Sequence, residues 1–234
     1  MNTINGRNRS MASPWGIAAR ICSSCGLMLL AAAMIAAGPA VAQPPPTTAR
    51  FAEVPATPET LRDLRDGGFT LFLRHGPSDT SRPDRVPQVD LADCSTQRPL
   101  NDEGRAMIAT VGEYLRQFSI PVATVHVSPL CRAKESAALA FPRHQAVIVV
   151  PNLIYTANMT AAQKRPILAE TRRLLSTPPP PGSNSLVLAH GPNLMDLIGY
   201  FPKEATLVIF RPKGNGAMDY VASIPASRWL ELAQ

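Results

Sequence analysis

Residues 69–76 have the sequence FTLFLRHG, and this stretch decides the expected fold. Its first five residues have the length and apolar character of a buried β-strand, which stops at Arg74 and His75. A second apolar run, Ser185–Ala189, ends in the same way at His190. In an open α/β sheet, ligands bind beyond the carboxyl ends of the strands. The two runs therefore predict a pair of histidines at one edge of a sheet.

Helical and strand patterns alternate along the rest of the chain. Helices are predicted to begin at Thr57-Pro58-Glu59, Asn101-Asp102-Glu103, Ser128-Pro129 and residue 160, with a short helix around Trp229. Further strands are predicted at Val122–Val127, Val147–Val150, Leu207–Phe210 and Tyr220–Ile224. Alternation of this kind predicts an α/β fold with a mainly parallel central sheet.

The first 42 residues have the composition of a secretory signal peptide. Three arginines and no acid precede the unbroken apolar run at 26–37, and Ala40-Val41-Ala42 follows it as a small-residue cleavage site. The apolar run is shorter than the roughly 20 residues that a membrane span needs, with an uncleaved anchor as the alternative. We expect cleavage near Ala42 and a periplasmic or secreted protein, with no stable membrane span after signal cleavage.

The proline-rich residues 43–48 indicate an extended, flexible segment after the signal. The predicted division is therefore a signal peptide at 1–42, a flexible linker at 43–56 and a single domain at 57–234. A domain of that length can bury a full hydrophobic core.

The formal net charge of +6 is only partly a property of the predicted domain. Three of the 23 basic residues lie in the signal, which leaves 20 basic against 17 acidic residues and a net charge of +3. This excess is too small to indicate a nucleic-acid partner. It suits a small phosphorylated substrate without requiring one.

Two of the four cysteines, Cys22 and Cys25, lie in the predicted signal, and Cys94 and Cys131 remain. An even pair in an oxidising compartment predicts a disulfide. Two separate thiols are the alternative.

Four residues that follow predicted strands have matching chemistry: Arg74, His75, Arg132 and His190. A neutral imidazole can attack phosphorus and carry the phosphoryl group. Arginine presents a planar, permanently charged fork that matches phosphate oxygens. Two arginines and a second histidine can hold the equatorial oxygens during transfer. The four residues together predict a site for a phosphorylated ligand.

Three sequence blocks resemble the histidine phosphatase superfamily, which is also called phosphoglycerate mutase-like. They are LFLRHGPSD at 71–79, VSPLCRAKESA at 127–137 and LVLAHGPN at 186–193. Ser136 stands where the family commonly has threonine. The similarity covers roughly Phe69 to Tyr200.

The resemblance implies a role for each of the four residues. His75 is expected to be the phosphoacceptor, with Arg74, Arg132 and His190 completing the phosphate pocket. The implied fold is a three-layer α/β/α sandwich around the mainly parallel sheet. No metal and no organic cofactor are implied.

The chain departs from the family pattern at the general acid. Most members of the larger branch have a glutamate soon after the strand that follows the block containing Arg132. Here that region, residues 149–160, reads VVPNLIYTANMT and holds no carboxylate. The other branch places an acid directly after the second histidine. Here Gly191 follows His190, and Asp196 comes six residues after it.

The long polar loop after Gly76 offers other carboxylates. Its candidate acids are Asp79, Asp84, Asp90 and Asp93. Asp79 is nearest to the nucleophile in sequence and is our tentative acid. Tyr155 is a weak donor, because the ordinary pKa of tyrosine is near 10.

The sequence therefore predicts an exported phosphohydrolase that acts through a phosphohistidine on a small phosphoester or an envelope sugar phosphate. Some exported members of the family act on lipopolysaccharide heptose phosphate, so the resemblance includes this substrate among the candidates. Two alternatives follow from the unassigned acid. One is a noncatalytic phospholigand-binding module, and the other is a phosphohistidine phosphatase that needs no strong general acid.

Overall fold

The computed structural model describes residues 51–85 and 89–234. Within these residues, the helices are α1 (Pro58–Asp66), α2 (Asp102–Gln117), α3 (Cys131–Ala140), α4 (Ala161–Ser176), α5 (Gly191–Ile198) and α6 (Trp229–Leu232). The strands are β1 (Thr70–Arg74), β2 (Val122–Val127), β3 (Val147–Val149), β4 (Asn184–Ala189), β5 (Leu207–Gly214) and β6 (Ala217–Ile224). Short 3₁₀ turns lie at Cys94–Thr96, Pro151–Leu153 and Ala226–Arg228.

The six strands form one sheet in the order β3-β2-β4-β1-β5-β6. Strands β1, β2, β3 and β4 run parallel to one another, whereas β5 is antiparallel to both β1 and β6. The prediction of an α/β fold with a mainly parallel sheet is confirmed. Because β5 is antiparallel to β1, the start of β5 lies at the edge where β1 ends.

The side chains of β1 alternate between two apolar layers, as expected of a strand buried on both faces. Leu71 and Leu73 pack on one face with residues of α1, α2 and α3 and with Trp229. Phe72 packs on the other face with Leu174 of α4 and with α5. The sheet is thus the middle of the predicted three-layer α/β/α sandwich.

Local sequence explains where the first helix begins and ends. The Thr57 hydroxyl accepts a hydrogen bond from the backbone N–H of Thr60, and the Thr60 hydroxyl accepts one in return from the backbone N–H of Thr57. This reciprocal cap satisfies two otherwise free N–H groups. The helix stops at Gly67, which adopts a φ of 82° that favours glycine.

The domain includes residues that the sequence assigned to the linker. Phe51 stacks on Tyr200 with the ring centroids 4.4 Å apart, and Pro55 pairs with Ser223 of β6. Residues 51–56 therefore pack on the domain, because aromatic stacking and a strand bridge fix them there. The predicted signal and the rest of the linker lie outside the described residues. None of the described helices is both long and apolar enough to cross a membrane.

Candidate active site

His75 follows β1 directly and is almost fully buried, with 2 % of its surface exposed. Its backbone N–H donates to the carbonyl of Ala189, so the histidine backbone extends the pairing of β1 with β4. Its Nδ1 lies 2.8 Å from the carbonyl oxygen of Gly76. A carbonyl only accepts, so Nδ1 must donate and Nε2 is the nitrogen with a free lone pair.

Burial lowers the pKa of His75 well below its ordinary value, and the positive charge of Arg132 lowers it further. The imidazole is therefore neutral at neutral pH. A neutral ring with a free Nε2 is the form that can attack an electrophile.

The bend after His75 depends on a close approach between two glycines. A Cβ on Gly76 would lie 2.6 Å from the carbonyl oxygen of Gly104 in α2. The backbone N–H of Gly76 donates to the Ser136 hydroxyl at 3.3 Å, and that hydroxyl donates to the carbonyl of Arg132 at 2.7 Å. These contacts fix the loop start against α2 and α3.

His190 lies at the end of β4, with its ring centroid 5.1 Å from that of His75. Its Nε2 is 2.7 Å from the hydroxyl of Ser128, which follows the neighbouring strand β2. Its Nδ1 is buried and has no hydrogen-bond partner among the described residues. Burial and the charge of Arg132 hold the pKa of His190 well below its ordinary value.

Ser128 was predicted to begin a helix, and this detail was wrong. Helix α3 begins at Cys131, with Leu130 at its N-cap and without a side-chain cap. The Ser128 hydroxyl lies 3.4 Å from the N–H of Leu130 and accepts from it, which leaves its proton for His190. Arg132 still falls in the first turn of α3, as predicted.

Arg74 reaches the site from the last position of β1. Its Nη1 donates to the carbonyl of Pro202 at 2.6 Å, and its Nη2 lies 3.5 Å from a carboxylate oxygen of Glu204. The guanidinium also lies over the ring of Phe201, 4.7 Å from its centroid. Three contacts from one segment therefore fix the orientation of this charge.

Arg132 is 2 % exposed and lies close enough to both histidines for its charge to lower their pKa. Its Nη1 donates to Asp84 at 3.0 Å, and its guanidinium lies 5.3 Å from the ring centroid of Tyr155. The same oxygen of Asp84 accepts from the backbone N–H of Arg98 at 2.7 Å. Asp84 thus connects the long polar loop to Arg132, and its hydrogen bond with the Arg98 backbone holds Arg98 at the site.

These side chains surround a cavity of about 310 Å³. Its walls include Arg74, His75, Asp84, Arg98, Arg132, Tyr155 and His190. Four buried donor nitrogens on these walls have no partner among the described residues, namely the Nε atoms of Arg74, Arg98 and Arg132 and Nδ1 of His190. Buried donors are normally satisfied, so unpaired donors around one cavity indicate an anionic ligand. We call this cavity the anion pocket.

The structure brings Arg74, His75, Arg132 and His190 together but leaves Asp79 out. The Asp79 carboxylate accepts hydrogen bonds from the backbone N–H and the hydroxyl of Ser81 at 3.0 and 2.6 Å. It stabilises a turn in the loop and does not line the anion pocket. The structure therefore does not bring the tentative acid Asp79 to the anion pocket, because nearness in sequence does not set the direction of a side chain in a turn.

Two functional candidates were missed from the sequence. Glu204 lies before β5, and one of its carboxylate oxygens is 3.9 Å from Nδ1 of His75. Arg98 lies in the polar loop with its Nε buried. Arg98 could not be identified because a basic residue in a polar loop before a helix has no distinctive sequence pattern. Glu204 could not be identified because the direction of β5 was not predicted.

The predicted disulfide between Cys94 and Cys131 is present, with the two Cα atoms 5.7 Å apart. It attaches the polar loop to the first residue of α3, next to Arg132. A second contact supports the same junction, because the backbone N–H of Cys131 donates to the side chain of Gln97 at 2.7 Å.

Comparison with known proteins agrees with this geometry. Residues 70–164 match the model of the histidine phosphatase superfamily (branch 1), and this segment includes Arg74, His75 and Arg132. This match confirms the resemblance to the superfamily and, with it, the prediction of a phosphatase with a histidine nucleophile. No curated protein matches the chain in sequence.

Solved structures resemble the chain at low sequence identity. A candidate α-ribazole-5′-P phosphatase from Escherichia coli is 13 % identical with a TM-score of 0.51, and the match covers 68 % of this chain and 97 % of that chain. The protein histidine phosphatase SixA, complexed with tungstate, is 16 % identical with a TM-score of 0.48, over 68 % of this chain and 98 % of that chain. A mycobacterial glucosyl-3-phosphoglycerate phosphatase is 17 % identical with a TM-score of 0.48, over 66 % and 98 %.

Proposed function

We propose that the chain hydrolyses a small phosphomonoester through a phosphohistidine formed at Nε2 of His75. The observation that carries the proposal is the anion pocket, where unpaired arginine and histidine donors surround a neutral imidazole. A phosphate dianion would satisfy those donors, and arginine forks match its oxygens.

The first step transfers the phosphoryl group to the enzyme. Nε2 of His75 forms a bond to phosphorus while the bond from phosphorus to the leaving oxygen breaks. The ring gains positive charge as it does so, and the carbonyl of Gly76 and the carboxylate of Glu204 both face its Nδ1 side. Fixed acceptors at that position stabilise the charge without rearrangement.

In the second step, a water oxygen attacks phosphorus, the bond to Nε2 breaks, and the carboxylate that protonated the leaving oxygen takes a proton from the water. Inorganic phosphate leaves, and the imidazole returns to its neutral form. Arg74, Arg98, Arg132 and His190 are the proposed donors for the phosphoryl oxygens in both steps, because their side chains line the same cavity.

Asp84 replaces Asp79 as the proposed source of the proton for the leaving oxygen. Among the described residues that line the anion pocket, it is the one carboxylate. In this structure it accepts from Arg132 and from the N–H of Arg98. Phosphate competes with Asp84 for Arg132, so ligand entry would free the carboxyl group beside the reaction centre. There it takes up a proton from solvent, gives it to the leaving oxygen and recovers one from the attacking water.

A test compares p-nitrophenyl phosphate turnover and acid-quench trapping of the phosphoenzyme in wild type and His75→Asn. We expect the variant to lose at least about three orders of magnitude in kcat and all trapped phosphoenzyme. The control is His126→Asn, a histidine on β2 outside the pocket, which should keep both. Phosphate binding without turnover in the wild type would favour a noncatalytic phospholigand-binding module.

Asp84→Asn tests the acid with two leaving groups. An alkyl phosphate needs protonation of its leaving oxygen, whereas p-nitrophenolate leaves without it. We expect the loss in kcat to be at least about tenfold larger for the alkyl ester. Equal losses would assign Asp84 to binding alone and favour a substrate with a good leaving group, such as phosphohistidine.

The proposed location is the periplasm or the exterior. The basic start, apolar run and Ala40-Val41-Ala42 of the sequence support export, and a disulfide is typical of oxidising compartments. An envelope sugar phosphate, including a heptose phosphate, is one substrate class that this location makes available. Cell fractionation and N-terminal sequencing of the protein test the location, with Gln43 as the expected first residue.

A further inference from the structure

A second cavity, of about 470 Å³, adjoins the anion pocket. The two cavities share Tyr155, Ala157 and Asn158 as wall residues. The Tyr155 ring packs edge-on against His190 at 5.8 Å and lies beneath the guanidinium of Arg132. A ligand whose phosphate lies between the histidines would therefore place its adjoining atoms beside Tyr155, at the entrance to the second cavity.

The second cavity differs in chemistry from the anion pocket. Its described lining consists of Val89, Leu91, Leu130, Ile154, Tyr155, Ala157, Asn158, Met159 and Gln163. None of these side chains carries a charge at neutral pH. The amide oxygen of Gln163 is already used, since it accepts from the N–H of Thr160 at the start of α4. Few polar groups are left to bind hydroxyls or a second anionic group.

The apolar side chains around this cavity are accessible to a ligand. Leu91 is 39 % exposed, and Ile154 and Met159 are half-buried. Accessible apolar walls next to a polar reaction centre are typical of a pocket that buries an apolar part of its ligand. Covering them would stabilise the complex in proportion to the apolar area removed from water.

We propose that the second cavity binds the leaving group of the substrate and that this group is uncharged and mainly apolar, an alkyl or aryl chain. This inference rests on the proposed phosphomonoester hydrolysis. It favours a small phosphoester with a hydrocarbon leaving group over an envelope sugar phosphate, since a sugar would leave its hydroxyls unpaired against Leu91, Ile154 and Met159.

The test measures binding and turnover separately. Calorimetry gives the Kd of methyl-, butyl- and hexylphosphonate, which cannot be hydrolysed, for the wild-type protein. Kinetics give kcat/KM for methyl, butyl and hexyl phosphate and for glycerol 3-phosphate. We expect Kd to fall roughly fourfold for each methylene that the cavity takes up. Hexyl phosphate should exceed glycerol 3-phosphate in kcat/KM, because both release a primary alcohol and differ mainly in polarity.

Two variants replace side chains that line the second cavity, Leu91→Asn and Met159→Asn. Each should reduce the dependence of the phosphonate Kd on alkyl chain length and leave the Kd of methylphosphonate unchanged. Leu230→Asn is the matched control, because Leu230 is 63 % exposed on α6 and does not line either cavity. That variant should bind hexylphosphonate like the wild type.

The outcomes separate this inference from the proposed function. Turnover of all esters with no dependence of Kd on chain length, or a preference for glycerol 3-phosphate, would overturn the apolar cavity and leave the phosphatase intact. Chain-length dependence without turnover of any ester would support the cavity and contradict the proposed hydrolysis.

Discussion

The Nε2 atom of His190 lies 2.7 Å from the hydroxyl oxygen of Ser128, so the ends of two neighbouring strands are joined inside the site. The hydroxyl accepts from the N–H of Leu130, and we infer that it donates its own proton to Nε2. The ring proton of His190 then lies on Nδ1, the atom without a partner among the described residues. The serine thus prepares the second histidine as a donor for an anion.

Replacing Ser128 with alanine should remove this tautomer preference. We expect kcat/KM for p-nitrophenyl phosphate to fall about ten- to a hundredfold, since the donor to phosphate would be present in only part of the molecules. The Kd of vanadate should rise in parallel. Ser176→Ala is the matched control, because Ser176 is also buried but lies at the end of α4. Equal activity of the two variants would show that Ser128 contributes to packing and does not set the tautomer of His190.

The Glu204→Gln variant should separate binding from chemistry. It keeps the shape of the side chain and removes the negative charge that faces Nδ1 of His75 and Nη2 of Arg74. We expect kcat to fall about tenfold, because the charge of the phosphorylated ring loses its counterion. The Kd of phosphate should stay equal or decrease, because a carboxylate near the pocket repels anions. Glu231→Gln, on α6, is the control, and a higher phosphate Kd with unchanged kcat would contradict this role.

The four central site residues could be predicted because each follows directly on an element with a clear pattern. Phe69–Leu73 and Ser185–Ala189 are apolar and short, and parallel strands end at the same edge, so His75 and His190 had to come close. The position of Arg132 was predicted in the same way, because a strand was expected at Val122–Val127 and a helix shortly after it. The fold class was predictable for the same reason.

The positions of the remaining site residues depend on the path of the chain between the helices and strands. Glu204 reaches His75 only because β5 is antiparallel to β1, with Leu207 paired to Leu73. An apolar strand has no local signal for its direction. Asp84, and not Asp79, enters the site because it pairs with Arg132, which is 48 positions away in the sequence. Contacts of this range cannot be inferred from the pattern of a polar loop.

The lowered pKa of both histidines predicts a specific pH dependence of stability. In the folded protein the rings stay neutral as the pH falls, whereas in the unfolded chain they take up protons near pH 6.5. The unfolded state then binds more protons, so the free energy of unfolding decreases as the pH falls below about 6.5. The slope is at most about 1.4 kcal/mol per pH unit for each histidine.

Denaturant unfolding of wild type and His75→Gln from pH 7.5 to 5 measures this slope. We expect the variant to lose less stability over the interval than the wild type, because one buried histidine is gone. Identical slopes would contradict neutral burial of His75. The acid limb of kcat/KM should also lie below pH 6.5, since this parameter reports the free enzyme.

The last prediction concerns the disulfide between Cys94 and Cys131. It closes 37 residues of chain between the polar loop and α3, and the chain-entropy model assigns up to about 4 kcal/mol of stability to a loop of that length. Reduction should lower the thermal midpoint and raise the KM for p-nitrophenyl phosphate, because the bond fixes the loop that carries Asp84 and Arg98 beside Arg132. The double variant Cys94→Ala/Cys131→Ala should reproduce both effects and show no further change on adding reductant. An unchanged midpoint and KM after complete reduction, verified by thiol titration, would mean that the hydrogen bond from Cys131 to Gln97 and the Asp84–Arg132 pair hold the loop by themselves.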